Sequence, residues 1–257
     1  MGRKPPTGIC KLCLKTSKLK ESHIISKLFW KGSGIFRELK YFEADAIAGN
    51  SPTLRNQQDG FKEYMLCNDC EGIFSKWETY GNKVFFGANG PFTTRPSAPR
   101  ILLASIDYAP FKLLTMSILW RMAVTAHPYY DRVNMDAKDI EELRTLLLAA
   151  NPGKPSWYPC SFTILVNDVN TLLPALFSPA ARMLLKNYPH TVYAIIIAGV
   201  HWLFFASKHA DQNLSPCFIQ RNGEIWLRVA TPDSFKYMQP HLDHIRNRHQ
   251  FPPSSIR

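Results

Sequence analysis

Two Cys-x-x-Cys pairs constrain this chain more than any other feature. Cys10-Lys11-Leu12-Cys13 and Cys67-Asn68-Asp69-Cys70 are separated by 53 residues. Two thiolates on one tight turn can both reach a Zn²⁺ at about 2.3 Å, and two such turns complete a tetrahedron. Disulfides would call for a secretory context. The opening MGRKPPTGIC is basic with no apolar stretch behind it, so no signal peptide is visible. A redox role would need a thioredoxin-like β-α-β setting, which is not evident here. The pattern predicts a structural Zn²⁺ on Cys10, Cys13, Cys67 and Cys70, closed to water, with the long insert folded back between the pairs. Cys160 and Cys217 stand singly beside strand-like runs and are expected as buried structural thiols.

The net charge of +11 is unevenly placed. Residues 1–40 hold ten Lys and Arg against Glu21 and Glu38, whereas residues 41–90 hold four basic residues against seven acidic ones. A basic surface at one end is the footprint of a polyanion binder, although a solvated face without a partner would read the same way. A hydrophobic content of 46% argues against a disordered chain. The longest apolar run, Val192 to Ala206, contains His201 and falls short of the ~20 residues that span a bilayer. It reads better as two strands, and a cytoplasmic location is expected.

Between the cysteine pairs lies Glu21-Ser22-His23-Ile24-Ile25-Ser26. A histidine followed by two β-branched residues suggests a strand that presents its imidazole. With Cys10-x-x-Cys13 before it and Leu66-Cys67-Asn68-Asp69-Cys70-Glu71 after it, the pattern resembles an HNH-type endonuclease of the treble-clef, or ββα-metal, kind. More closely it is similar to a largely uncharacterised bacterial group sharing three segments. Here these are Ser22 to Lys27, Gln58-Asp59-Gly60, and Met65 through Phe74-Ser75-Lys76-Trp77-Glu78. The resemblance covers roughly residues 8–80 and extends weakly to Tyr108-Ala109-Pro110 and Ser117 to Arg121.

That resemblance implies a phosphodiester hydrolase in which His23 is the general base and one divalent ion, Mg²⁺ or Mn²⁺, stabilises the developing charge. Glu71 and Glu78 lie seven apart, two helical turns on one face, and are the first candidates to hold that ion. Asp59 and Glu63 are weaker ones. Lys27, Lys31 and Arg37 would contact phosphates. Phe29 and Trp30 are expected in the core rather than stacked on bases. DNA is the expected substrate ahead of RNA, and a role in anti-phage defence follows from the resemblance alone. A zinc-stabilised nucleic-acid-binding protein without catalysis is the alternative, and a protein partner or a second copy could meet the later part of the chain.

The fold class expected is α+β. A zinc-stapled domain over 1–88 leads through a proline-rich linker to an α+β domain over 101–235, and 236–257 reads as a basic tail. Pro110 to Ala126 is apolar nearly all round and predicts a buried helix, in which Arg121 needs a partner. Asp136 to Ala150 predicts a second helix, and Ser178-Pro179 through Lys186 a third. Ser161 to Val166 and the runs flanking Ala198-Gly199 predict strands. A hairpin of Cys217–Gln220 with Glu224–Val229 around Arg221-Asn222-Gly223 completes an antiparallel meander.

Overall fold

A computed structural model describes residues 5–32, 40–42, 54–56, 60–87, 90, 96, 98–167, 169–173, 176–185, 188–209 and 212–235. The chain is α+β. A small antiparallel sheet comes first, from β1 (Thr7–Ile9), β2 (Thr16–His23) and β5 (Lys62–Cys67), in that spatial order. β2 carries an irregularity between Lys20 and Glu21, and its end pairs His23 with Lys62. Helix α1 (Lys27–Gly32) follows β2, and β3 (Lys40–Phe42) pairs β4 (Leu54–Asn56) inside the long insert. Helix α2 (Asn68–Phe86) leaves β5 directly and buries Cys70, Phe74, Trp77, Gly81 and Phe85, a stripe at helical spacing.

Helix α3 (Tyr108–Val124) is the centre of the molecule. Asp107 caps it by accepting from the Ala109 N–H, and thirteen of its side chains are buried. Gly81 lets α2 approach it, because a Cβ there would lie 2.0 Å from Leu114 Cδ2. Helix α4 (Ala137–Leu148) packs against it as well.

The second sheet has six strands in the order β6-β11-β7-β10-β9-β8. They are β6 (Arg100–Leu103), β7 (Cys160–Leu165), β8 (Ala181–Met183), β9 (Val192–Ile197), β10 (Val200–Phe205) and β11 (Ile225–Ala230). The β9–β10 hairpin turns on Ala198 and Gly199, both at positive φ (52° and 72°), as a tight hairpin of matching twist requires.

Three expectations are corrected here. The sheet is not an antiparallel meander, because β11 runs parallel to β7. Cys217–Gln220 is not the partner of β11. Residues Gln212–Cys217 form a 3-10 turn containing Pro216, and the Gln220 amide donates to the Ser215 and Phe218 carbonyls. Residues 178–185, the described part of the third expected helix, are not helical. The Ser178 N–H donates to the Ile196 carbonyl and its Oγ accepts from the Ile196 N–H, which ties the segment to β9 and places β8 beside it. The stretch expected as linker also ends in a strand, β6.

One apolar cluster runs from Cys10 and Leu12 through Ile24, Phe74 and Leu114 to Phe162, Trp202 and Leu227. Phe29 meets Trp202 edge-on at 5.2 Å, and Trp30 stacks on Phe177 at 4.2 Å. Both are core residues, and they press α1 against the six-stranded sheet. Among the described residues no helix is long and apolar enough to cross a membrane.

Candidate metal centre and the site beside it

The first cysteine pair sits on the turn between β1 and β2. The Leu14 N–H returns to the Cys10 carbonyl, with Leu14 at φ 61°, and the Cys10 N–H reaches the Lys15 carbonyl. The second pair opens α2, where Cys67 is the residue before its first turn. Pairing of β2 with β5 folds the long insert back, and the Cys67 N–H donates to Cys10 Sγ at 3.3 Å. All four Sγ atoms lie within 4.8 Å of one another.

The four thiols are close enough to hold a metal ion, and they fit zinc. Cys13 Sγ and Cys67 Sγ are 3.9 Å apart, against S–S edges of about 3.8 Å in a tetrahedron with Zn–S of ~2.3 Å. None of the four is in a disulfide. Burial works to raise the Cys10 thiol, but the N–H donors of Cys13, Cys67 and Leu12 outweigh it and bring it down to about 7. Burial and the neighbouring sulfurs push Cys70 far up instead. Thiols this crowded resist ionising together unless a cation offsets their charge, which is what a divalent ion supplies. Arg144 on α4, held by Glu141, donates to the Leu12 carbonyl at 2.6 Å and so clamps the turn from outside.

His23 closes β2 and is half-buried. Its carbonyl accepts from Arg121 Nη1 at 2.7 Å, and the same nitrogen reaches Glu78 Oε1 at 2.7 Å. Arg121 is 1% exposed, so this carboxylate is the partner that its burial demands. Ser22, next to His23, donates to Glu71 Oε2 at 2.7 Å. Glu71 therefore stands beside the end of β2, whereas Glu78 is committed to Arg121. Glu63 accepts from Lys11 Nζ at 2.5 Å, Thr125 Oγ1 at 2.6 Å and the Ala126 N–H at 2.9 Å. Burial opposes its ionisation, but those donors together hold its carboxyl below the usual range.

Lys27 lies half-buried on α1. Lys31 is on the same helix, with its side chain outside the described residues, and Arg37 and Asp59 lie outside them altogether. Among the described residues the four cysteines are the one group of three or more His, Cys, Asp or Glu side chains close enough to share an ion. Arg144, Lys11 and Thr125 carry no sequence signal for their roles, since their partners are distant in the chain. Comparison with protein-family models, curated proteins and solved structures yields no match to this chain.

Proposed function

We propose that this chain is a zinc-stapled, metal-dependent endonuclease of the HNH, treble-clef kind, with His23 as general base and DNA as substrate ahead of RNA. The observation that carries the reading is the position of His23. It ends the strand that leaves one cysteine pair, laddered to the strand that enters the other, with the Glu71 carboxylate hydrogen-bonded to its neighbour Ser22. Zinc on Cys10, Cys13, Cys67 and Cys70 is structural, because four thiolates leave it no open position.

A divalent Mg²⁺ or Mn²⁺ beside Glu71 would supply charge stabilisation for the phosphate. One carboxylate suits Mg²⁺, which commonly takes one or two carboxylates and completes its shell with water and substrate oxygens. Glu78 is left out of this role because Arg121 occupies it. His23 takes a proton from the attacking water, a role to which the imidazole group is suited as a residue type. Arg121 fixes the backbone at His23 through its carbonyl and is a positioning residue. Lys27, with Lys31 and Arg37, would meet the phosphate backbone, in keeping with a bacterial cytoplasmic role in anti-phage defence.

A second reading, a zinc-stabilised nucleic-acid-binding protein without catalysis, is favoured by one observation. Glu71 and Glu78 do not converge with His23 into a three-ligand group. Supercoiled plasmid incubated with Mg²⁺ or Mn²⁺ separates the two. The endonuclease reading predicts nicking by the parent, and a loss of at least about 100-fold in His23→Ala with zinc content unchanged. Tight, salt-sensitive DNA binding without nicking in either protein establishes the second reading.

A further inference from the structure

The six-stranded sheet has an outer face as well as the one that meets α1 and α2. On that outer face, register aligns three polar side chains across three neighbouring strands. Arg228 of β11 is paired with Thr163 of β7, and Thr163 with His201 of β10. All three line a cavity of about 220 Å³. Side chains two apart on a strand share a face, so on β10 the lining passes from His201 to Leu203 and Phe205. Leu185 and Leu214 join them in the lining, whereas Phe235 tilts against the His201 ring at 4.3 Å. The lining thus combines the polar row Arg228–Thr163–His201 with an apolar wall of Leu203, Phe205 and Leu214.

The charge of the polar row is also defined. Among the described lining residues Arg228 is the one formal cation, and none is acidic. The ion pairs among the described residues go to Lys11, Arg121, Arg144 and Lys208, which leaves Arg228 out of them. Burial and the charge of Arg228 hold the His201 ring neutral down to about pH 4. Thr163 is buried, faces Arg228 in the strand register and adds a hydroxyl-bearing side chain to the lining.

We propose that this cavity binds a small monocarboxylate with a compact apolar body, its carboxylate on Arg228 and Thr163 and its body against Leu203, Phe205 and Leu214. A guanidinium fork matches a carboxylate bidentately, and one cation balances one negative charge. The size fits as well: a cavity of ~150 Å³ takes benzene, which leaves room here for a carboxylate. This site lies apart from His23 and does not depend on the nuclease reading.

Titration calorimetry of the full chain tests it, with benzoate as probe and benzamide and phenyl phosphate as controls. Benzoate is expected to bind with Kd of about 0.1–1 mM, and benzamide and phenyl phosphate at least about tenfold more weakly. Arg228 is exposed, so Arg228→Met should fold as the parent does and lose about tenfold or more in benzoate affinity. Thr163→Val should lose less, in the same direction. Three results overturn the proposal: no saturable benzoate binding up to about 10 mM, benzamide or phenyl phosphate binding as well as benzoate, or Arg228→Met binding benzoate as tightly as the parent.

Discussion

The three-stranded sheet and the six-stranded sheet are held by different means. In the first, β1 has three residues, and Ile9 and Leu14 at its cysteine turn are 63% and 56% exposed. At that end four sulfurs lie close enough to hold a metal ion, and Arg144 and the Lys11–Glu63 pair tie the turn to its surroundings. In the second, β9 is buried along its whole length, and Phe162 packs edge to face on both Phe85 and Trp202. A short sheet whose own apolar row is limited to residues such as Leu12, Leu19, Met65 and Leu66 gains most from a staple, whereas the larger one is stabilised by apolar area. The proposed chemistry sits on the stapled part and is braced against the other by Arg121 and Phe29. On that reading a metal-held element would present the reacting groups, and a packed element would keep them still.

The largest effect that would break this contrast is expected at the staple. Cys67→Ser should lose its zinc and unfold β1, β2 and β5, since structural zinc in small fingers is worth ~10–16 kcal/mol. Metal analysis should fall from about one zinc per chain to none, and a stable zinc-free variant would abolish the distinction. At the join between the regions, Arg121→Met leaves Glu78 without its partner and should cost about 3–5 kcal/mol in chemical denaturation. A cost below about 1 kcal/mol would make Arg121 dispensable to the join. The smallest effect is a pH dependence confined to the larger sheet. His201 titrates near 4 in the fold against 6.5 ordinarily. The unfolded chain therefore takes the proton first, and stability falls as pH drops from 6.5 towards 4, by up to about 3 kcal/mol. His201→Phe should flatten that part of the stability profile relative to the parent.

Local chemistry was legible in the sequence, and distant pairing was not. The cysteine turns announce themselves because both ligands of a pair lie within four residues, and Ala198-Gly199 and the acidic start of α4 are equally local signals. Arg121 declared its need for a partner by being charged in an apolar helix, but not that the partners are Glu78 and the carbonyl of His23, 98 residues away. The clamp from Arg144 to Leu12 spans 132 residues and leaves no trace in spacing. Strand β11 looked like half of a hairpin because Asn222-Gly223 does mark a turn. Its neighbour is settled instead by the parallel seat beside β7, which no local pattern encodes. The same long-range register creates the row Arg228–Thr163–His201, invisible until the strands are in order.

Hydrogen exchange before and after chelation tests most directly whether one region is stapled and the other packed. Removal of zinc is predicted to strip amide protection from Thr16–His23 and Lys62–Cys67 while Cys160–Leu165, Val192–Ile197 and Val200–Phe205 stay protected. Protection lost together in both sheets, or kept in both, would contradict the account.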